Sequence, residues 1–324
     1  MNVPRRLVPL LILFTLGVAR AAIPEGADGV VAADGTGQFK TVRAAIDAAP
    51  QITHAGKHWT IFVKAGTYRE LVYIQREKRF ISVVGEDAEK TIITFDLFND
   101  YPGPDGKPIA TYRTPTIMLD ADDFTFENIT LENAAGKKGQ ALAIRIDGDR
   151  DVFRKVRFLG WQDTILTNRG RHYFEDCYIV GATDFIFGGA TAYFERCHLH
   201  CAGSGYITAA STPDFQPYGY VFDHCQITGE TPEVKTYLGR PWRDYAQTIF
   251  LNTAMSVVVK PEGWHNWGKS SAEKVARYAE FNSTGPGGSP VARVPWSKQL
   301  TAGEAAAYSI EKVLAGADGW DPTK

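Results

Sequence analysis

Residues 153–168 read FRKVRFLGWQDTILTN, and residues 174–189 read FEDCYIVGATDFIFGG. The two stretches align without a gap, which matches Asp163 with Asp184, 21 residues later. If each stretch forms one coil of a stacked parallel sheet, neighbouring strands lie about 4.7–4.9 Å apart. The spacing therefore predicts two carboxylates side by side, an arrangement that can pair a nucleophile with an acid or a base.

The alignment extends to an eight-residue repeat unit, called the phrase below, that occurs five times in the sequence. Successive phrases begin 27, 21, 20 and 28 residues apart. Each phrase alternates like a strand and is rich in β-branched and aromatic residues. A repeat of about 20–50 residues is typical of solenoids, in which each unit buries its apolar face on the next. The phrases are FENITLEN from Phe126, FRKVRFLG from Phe153, FEDCYIVG from Phe174, FERCHLHC from Phe194 and FDHCQITG from Phe222.

These repeats predict an all-β fold, a right-handed parallel β-helix, as one domain over residues 22–324. The short steps leave no room for the helical crossovers of a doubly wound sheet, and a β-sandwich would require the similarity to be coincidental. Two apolar columns are expected to point inward. They are Ile129, Val156, Cys177, Cys197, Cys225 and Leu131, Phe158, Ile179, Leu199, Ile227.

The ends of the solenoid are expected to be covered, because an open parallel edge would template aggregation. FKTVRAAIDAAP, from Phe39, has an apolar helical face, with Thr41 as N-cap and Pro50 after the helix. It predicts an N-terminal capping helix. Residues 304–314 are also amphipathic and are expected to pack near the C-terminal end. Residues 99–114 are rich in Pro and Gly, which predicts a surface loop between coils. Long loops are expected to form a substrate groove on the solenoid.

The N-terminus has the layout of a secretory signal peptide over residues 1–21. Arg5 and Arg6 precede an apolar run, and Ala19-Arg20-Ala21 forms a small-x-small cleavage site. The run is too short to span a membrane comfortably. Cleavage removes three arginines and no acidic residue, which takes the formal charge from −2 to −5. This acidity argues against a general nucleic-acid binder.

Export makes disulfides possible, and the chain has four cysteines. Cys177, Cys197 and Cys225 occupy the same position of three successive repeats, at a strand spacing that fits the Cα separation of a disulfide, about 4.4–6.8 Å. We expect a Cys177–Cys197 bond first and a Cys197–Cys225 bond second. The alternative is an unbridged column of cysteines that pack as small apolar side chains.

Amide and cationic side chains accompany the two aspartates. Gln162 precedes Asp163, Gln140 lies one coil upstream, and Arg240 comes later, in YLGRPW. Adjacent carboxylates raise the pKa of one of them, so one can attack while the other donates a proton. Arginine would keep the attacking carboxylate ionised, and glutamine N–H groups would stabilise an oxyanion. Together these residues predict an acyl-transfer or glycosyl-transfer site.

Periodicity alone does not give the direction of the Asp163 side chain. In a straight strand, residues two apart share a face, so Asp163 and Ile165 would point the same way. We therefore expect either a bend between them or an Ile165 side chain on the outer face.

Five short motifs follow one another in order, namely GTYRE (66–70), QALAI (140–144), QDTIL (162–166), DFIFG (184–188) and LGRPW (238–242). With them the chain resembles the pectinesterase (pectin methylesterase) family from roughly residue 29 to the C-terminus. The GxSxG elbow of serine esterases does not occur in the sequence. The family often has an aromatic residue where this chain has Leu166, so one sugar subsite is expected to differ.

By this resemblance the reaction is hydrolysis of the methyl esters of polygalacturonate. The resemblance implies that Asp184 attacks the ester carbonyl while Gln140 and Gln162 stabilise the oxyanion. Asp163 would protonate the departing methanol and then activate water against the acyl-enzyme. Arg240 would hold Asp184, with the substrate carboxylate as an alternative second partner.

The resemblance also implies a secreted enzyme, with the periplasm as the alternative, that acts as a monomer on pectin (homogalacturonan). Trp242 would pack on a sugar ring, and Phe187 would line the groove. No metal, cofactor or nucleic acid is implied, and no membrane attachment after signal cleavage. His198, His200 and His224 lie on neighbouring phrases, but we interpret them as outward decoration rather than as a metal site.

Two other classes of protein remain open on the residues alone. A β-helical depolymerase, either a glycosidase or a lyase, could also use paired acids. A lyase would be expected to gather several acids around calcium, and no such cluster accompanies the paired positions in the sequence. A secreted carbohydrate-binding β-helix without catalysis is the second alternative.

Overall fold

The computed structural model of the protein describes residues 26–51 and 58–324. The predicted signal peptide, residues 1–21, lies outside these residues. The described chain winds into a stack of parallel strands that form two sheets, sheet A with 11 strands and sheet B with 13. Sheet A has the order β1-β2-β5-β8-β11-β14-β16-β18-β21-β23-β24. The parallel solenoid predicted from the repeats is therefore present.

The strands and helices are short, as expected for coils of about 20–28 residues. The strands are β1 (Gly29–Val31), β2 (Trp59–Val63), β3 (Gly66–Arg69), β4 (Val72–Ile74), β5 (Ile81–Gly85), β6 (Thr91–Phe95), β7 (Ile117–Leu119), β8 (Thr125–Glu127), β9 (Thr130–Asn133), β10 (Ile144–Ile146), β11 (Asp151–Arg154), β12 (Arg157–Leu159), β13 (Ile165–Thr167), β14 (Arg171–Glu175), β15 (Tyr178–Gly188), β16 (Thr191–Glu195), β17 (His198–Ala210), β18 (Tyr220–Asp223), β19 (Gln226–Gly229), β20 (Thr236–Gly239), β21 (Gln247–Leu251), β22 (Ala254–Met255), β23 (Arg277–Phe281) and β24 (Lys298–Gln299). The α-helices are α1 (Val42–Ala48), α2 (Ala272–Val275), α3 (Ala302–Ala305) and α4 (Ile310–Leu314), and 3₁₀ turns span Thr111–Arg113, Gly136–Lys138, Pro286–Gly288 and Ala306–Tyr308.

Sheet B has two arms that are joined where β15 and β17 run through both. The first arm contains β3, β6, β9, β12, the beginnings of β15 and β17, then β19 and β22. The second arm contains β4, β7, β10, β13, the ends of β15 and β17, and β20. Each complete coil therefore contributes one segment to sheet A and one to each arm of sheet B.

The interior is built from stacked identical or similar side chains. The first residue of each repeated phrase forms a column of phenylalanines, and the stack continues to Phe250, a further coil beyond the five phrases. Successive ring centroids from Phe126 to Phe250 lie 6.0, 4.6, 4.4, 4.4 and 4.5 Å apart. Both predicted apolar columns also point inward, and none of their members is more than 2% exposed.

A tight turn connects sheet A to the first arm of sheet B in coil after coil. The residue at this turn has a positive φ, between 48° and 54°, in seven successive coils. Asn and Asp adopt this left-handed conformation at little cost, and they occupy four of the seven positions. The turn residues are Asn128, Lys155, Asp176, Arg196, His224, Asn252 and Asn282.

The N-terminal end of the stack is capped as predicted. Helix α1 buries Val42, Ala45 and Ile46, and the Thr41 side chain accepts a hydrogen bond from the Ala44 N–H. Glu70, the last residue of GTYRE, accepts hydrogen bonds from two further N–H groups of the first helical turn, at 2.8 and 3.0 Å. A carboxylate at a helix N-terminus is favourable, so this motif stabilises the cap.

The C-terminal amphipathic segment differs from its prediction. It is broken into α3, a 3₁₀ turn and α4, because Ser309 has extended backbone and begins a new helix as its N-cap. The segment lies along the outer face of sheet A, where Val313 and Leu314 contact an apolar patch that includes Tyr173 and Tyr193. It therefore covers one side of the solenoid rather than only its end.

The predicted Cys177–Cys197 and Cys197–Cys225 disulfides are not formed, and all four cysteines are free and buried thiols. The three column cysteines do occupy adjacent coils, as the repeat predicted. Each sulfur instead contacts backbone carbonyls, with Cys197 Sγ at 3.5 Å from both Phe174 O and Glu195 O. Strand spacing alone was therefore insufficient to predict a bond, and the cysteines pack as small apolar side chains.

Candidate active site

Asp163 and Asp184 both lie where the chain passes from the first to the second arm of sheet B. Their backbones are left-handed, with φ of 65° at Asp163 and 51° at Asp184. This conformation interrupts the strand alternation, so Ile165 is fully buried while Asp163 lines an open cleft. The bend anticipated between these two residues is therefore present.

A glycine three residues before each aspartate makes this bend possible. A Cβ at Gly181 would lie 2.2 Å from the Cβ of Phe185. A Cβ at Gly160 would lie 2.6 Å from Thr164 Oγ1. Because both contacts are too close for a side chain, the repeated Gly is required by the turn that presents the two carboxylates.

Asp184 is held by a two-point contact with Arg240. Arg240 Nε donates to Oδ1 at 2.8 Å, and Nη2 donates to Oδ2 at 2.6 Å. The Asp184 side chain is 8% exposed and the Arg240 side chain is 16% exposed. Burial raises the pKa of Asp184, while the hydrogen bonds and charge of Arg240 oppose that rise. Arg240 thus keeps this buried carboxylate more easily ionised than burial alone would allow.

Two aromatic rings fix the Arg240 guanidinium in place. Its Cζ lies 3.9 Å from the ring centroid of Tyr206 and 3.6 Å from that of Trp267. Lys269 Nζ donates to the carbonyls of Pro241 and Trp242, at 3.1 and 3.0 Å. The segment after β20 is therefore held on both its side-chain and main-chain atoms.

Asp163 has a different environment, with an amide partner in place of a guanidinium. Gln140 Nε2 donates to Asp163 Oδ2 at 2.8 Å. Burial and the neighbouring charge of Asp184 raise the pKa of Asp163 to about 7, and the Gln140 hydrogen bond and Arg240 charge only partly oppose the rise. Near neutral pH, a substantial fraction of Asp163 is therefore protonated.

Gln162 lies between Gln140 and Thr183 in consecutive coils, joined to both through parallel bridges. Its carbonyl accepts the N–H of Ala141 at 3.0 Å. No hydrogen bond within the described chain engages its side-chain amide, which lines the cleft. The amide is therefore available to a ligand.

The cleft has a volume of about 220 Å³ and contains all seven residues singled out from the sequence. Phe187 and Trp242 form its aromatic wall, with ring centroids 5.7 Å apart. Leu166, Phe187 and Ala209 follow one another on the outer face of the second arm, and Leu166 is fully buried beneath the aromatic residues. The lining residues are Thr111, Tyr112, Gln140, Gln162, Asp163, Asp184, Phe187, Ala209, Arg240, Trp242 and Trp267.

Four residues that line the cleft were not predicted: Thr111, Tyr112, Ala209 and Trp267. Thr111 and Tyr112 come from the loop at residues 99–114, which the sequence predicted only as a surface loop between coils. Trp267 lies in a stretch that shares no repeat with the rest of the chain, so periodicity gives it no position. Ala209 follows Phe187 in strand register and could have been found by extending the alignment.

The three histidines considered for a metal lie away from this cleft. His198 Nε2 and His200 Nδ1 both contact Thr228 Oγ1, at 2.6 and 2.9 Å, on the outer face of the first arm. His224 is exposed and lies against Asp223. Over residues 26–51 and 58–324, no cluster of three or more potential ligands is suited to a metal ion.

Comparisons with known proteins agree on one family. A family model described as pectinesterase matches residues 28–317. Pectinesterase 31 of Arabidopsis thaliana is 39% identical over 281 residues, which cover 85% of this chain and 88% of the relative. Putative pectinesterase 11 of the same plant is 37% identical over 291 residues, covering 89% and 79% of the two chains.

Solved structures give the same result. The pectin methylesterase from carrot superposes with a TM-score of 0.85 at 31% identity, covering 92% of this chain and 96% of that one. A pectin methylesterase in complex with a hexasaccharide gives 0.77 at 30% identity, covering 92% and 99%. The right-handed parallel β-helix predicted from the sequence is confirmed. Within the described residues, no helix is long and apolar enough to cross a membrane.

Proposed function

The chain belongs to the pectinesterase family, and from this we propose how its paired aspartates perform the reaction. The protein is a carboxylic ester hydrolase that removes methyl esters from pectin. The observation on which the mechanism rests is the inequality of the two carboxyl groups in one cleft. Asp184 is held in a two-point contact by Arg240, whereas Asp163 contacts an amide and has its pKa raised to about 7, chiefly by burial.

In the first step, an ionised Asp184 oxygen attacks the ester carbonyl carbon of a methylated galacturonate. The carbonyl oxygen becomes an oxyanion, for which Gln162 has an unused amide and Gln140 a second Nε2 hydrogen. The bond to the methoxy oxygen then breaks, and Asp163 transfers its proton to that oxygen. The products are methanol and an anhydride that joins Asp184 to the galacturonate.

In the second step, Asp163 is ionised and accepts a proton from water. The resulting hydroxyl adds to the galacturonyl carbon, and the bond to the Asp184 oxygen breaks. Asp184 returns to its carboxylate, and Asp163 returns to its acid form. One water is consumed and one methanol released, and the product carboxyl group ionises in solution.

The aromatic wall of the cleft would hold a sugar chain in place by stacking on its pyranose rings. Trp242 and Phe187 present apolar ring surface to the cleft, which suits the C–H faces of a pyranose. Arg240 is already bound to Asp184 and packed between two rings, so we assign it to that carboxylate rather than to substrate. Leu166 is fully buried beneath the aromatic wall and does not line the cleft, so it acts on a bound sugar only by supporting the aromatic residues packed on it.

The N-terminal layout at residues 1–21 supports export, with the described chain acting outside the cytoplasm, in the extracellular space or a periplasm. We propose that the enzyme acts as a monomer, because a single chain supplies every residue that the proposed steps use. The resident groups named above suffice for the steps without a metal or another cofactor. The polymer partner is homogalacturonan.

The experiment measures methanol release from methylated pectin together with the length of the polymer. We expect methanol without a change of length from the wild type, and no methanol from Asp184→Ala. A fall in polymer length would instead indicate a depolymerase. Undiminished pectin binding by both proteins without methanol release would indicate a binding module.

A further inference from the structure

The two ends of the Gln140 side-chain amide have nearly the same shape but opposite hydrogen-bonding character. Its Nε2 end faces Asp163 Oδ2, at 2.8 Å. At the other end, Thr111 Oγ1 donates to Gln140 Oε1 at 2.9 Å. A threonine hydroxyl can donate or accept, so the two contacts together define the orientation of the amide. With Nε2 on Asp163 Oδ2, the Thr111 hydroxyl donates to Oε1 and holds the amide in that orientation.

The same loop, residues 99–114, also holds the main chain of Gln140. Asn99 N donates to Gln140 O at 2.9 Å, and Gln140 N donates to Asn99 Oδ1 at 3.1 Å. At the end of the loop, the buried Thr114 Oγ1 accepts the N–H of Leu142 at 3.1 Å. One loop therefore contacts Gln140 through its backbone N–H, its backbone carbonyl and its side-chain oxygen.

Backbone strain is concentrated at the residues that precede the two partners. Ala110 has φ 63° and ψ 161°, and Gly139 has φ 157° and ψ −163°. This region is occupied almost only by glycine, yet the residue before Thr111 is an alanine. At Gly139, a Cβ would lie 2.1 Å from Asn99 Oδ1. Strain of this kind persists where surrounding contacts enforce it, and at functional sites in particular.

We propose that Thr111 is a positioning residue that fixes the orientation of the Gln140 amide and thereby confines the acidic proton of Asp163 to Oδ1. The inference rests on the roles of Asp163 and Gln140 proposed above. Because an N–H of Gln140 already occupies Oδ2, the neutral acid carries its hydrogen on the other oxygen. No hydrogen bond from the described residues reaches Oδ1, so this hydrogen is free to move to the methoxy oxygen.

A reversed amide would have two consequences for the reaction. Gln140 Oε1 would accept the Asp163 proton, which would then point away from the departing methanol. The oxyanion would also lose the Nε2 donor. In addition, an ionised Asp163 would face a carbonyl oxygen instead of an N–H, which disfavours its charged form and raises its pKa further.

The test compares Thr111→Val, which removes the hydroxyl at nearly constant shape, with Thr111→Ser, which retains it. Thr116→Val is the matched control, because Thr116 is a buried threonine that donates to Glu132 O at 2.7 Å and does not contact Gln140. For each protein, kcat and KM for methanol release are measured against pH. Circular dichroism checks that each variant is folded.

For Thr111→Val we expect kcat to fall on the order of 10-fold to 100-fold, with KM within about twofold of the wild type. The alkaline limb of the pH profile should move upward by about one pH unit, because the ionised acid loses a donor. Thr111→Ser should restore both the rate and the limb. Thr116→Val should stay within about twofold of the wild type at every pH.

Two results would overturn the proposal. A fall in kcat with no movement of the alkaline limb would mean that the hydroxyl is only structural. A rise in KM alone would mean that Thr111 binds substrate rather than orienting Gln140. A separate variant tests the proposed role of Asp163 itself. If Asp163 is not the acid, Asp163→Asn should keep the alkaline limb of the wild-type pH profile.

Discussion

Two carboxylate–guanidinium pairs with the same geometry lie at different connections of the solenoid, one between the two arms of sheet B and one between sheet B and sheet A. In the cleft, Arg240 contacts both oxygens of Asp184 at 2.8 and 2.6 Å. Beneath the C-terminal segment, Arg171 contacts both oxygens of Asp149 at 3.0 and 2.7 Å. The pKa of Asp184 is nevertheless raised and that of Asp149 is lowered. Two-point pairing alone therefore does not determine the charge state of a carboxylate.

The difference comes from burial and from the number of nearby cations. Asp184 is 8% exposed and, among the described residues, pairs with Arg240 alone, while Asp149 is 28% exposed and contacts both Arg171 and Arg150. Partial burial would raise the pKa of Asp149, but hydrogen bonds and charges from the two arginines outweigh it. Beneath the C-terminal segment, Arg150 and Arg171 form a network with Asp149 that stabilises the ionised carboxylate. In the cleft, Arg240 does not fully offset the rise in the pKa of Asp184 that burial causes. Raised pKa values of this kind are what acid–base chemistry requires.

Removing the proposed nucleophile gives the largest expected difference between the two pairs. Asp184→Asn should lower kcat for methanol release by at least about 10⁴-fold, since the amide is a very poor nucleophile. Asp149→Asn, the matched control, should keep kcat within about threefold while lowering the free energy of unfolding. Methanol assays and urea unfolding on both variants measure the two effects. Activity in Asp184→Asn above about 1% of the wild type would contradict the assignment of the nucleophile.

Replacing each arginine by lysine tests what two-point pairing contributes. Arg240→Lys keeps the charge but loses the second hydrogen bond and the packing between Tyr206 and Trp267. We expect kcat to fall about 100-fold. Arg171→Lys should leave kcat unchanged and cost about 1–2 kcal/mol of unfolding free energy. Equal effects of the two substitutions on kcat would remove the distinction between the pairs.

The repeat predicted much of the fold and the proximity of the two cleft aspartates. In-register stacking brings residues 20–28 positions apart into contact on neighbouring coils. The pairing of Asp163 with Asp184 and the two inward apolar columns could therefore be predicted from the sequence. Arg240 and Trp242 came from the family motifs and not from spacing. The bend at Asp163 was one of the two alternatives that the sequence left open, the other being an outward Ile165.

Contacts made outside the repeat could not be predicted in the same way. Asp318 meets Arg171, 147 residues earlier in the chain, and no periodicity links them. Thr111 belongs to a loop whose path depends on strained backbone at Ala110. The cysteine column was placed correctly, but its thiols contact carbonyls and form no disulfide. Side-chain partners of this kind depend on local backbone geometry, which sequence alignment does not contain.

The pH dependence of stability should have opposite signs at the two sites. Asp163 has a folded pKa of about 7, raised chiefly by burial, against about 3.9 when unfolded. Between these values the native state binds more protons, so this group lowers stability as pH rises from about 4 to about 7. Asp149 has a lowered folded pKa, so its contribution is present above the unfolded pKa and is lost as pH falls.

Replacing each aspartate by the neutral asparagine makes the direction of its pH-dependent contribution to stability measurable. At pH 7–8, Asp163→Asn should be more stable than the wild type by about 1–3 kcal/mol, and the two should converge near pH 4. Asp149→Asn should be less stable at neutral pH and should approach the wild type in acid. Urea unfolding at several pH values measures both. A stability of Asp163→Asn below that of the wild type at pH 8 would contradict the raised pKa.

The smallest effect is expected at the exposed edge of the network beneath the C-terminal segment. Asp318 is 45% exposed and contacts Arg171 and Arg150, and hydrogen bonds from Arg171 lower its pKa although it is mostly solvated. Asp318→Asn should cost less than about 1 kcal/mol at low salt, and about 1 M salt should abolish the difference. Urea unfolding at two salt concentrations measures it. A loss of unfolding free energy that persists at high salt would mean that this ion pair behaves like the buried ones, because only burial protects an ion pair from screening.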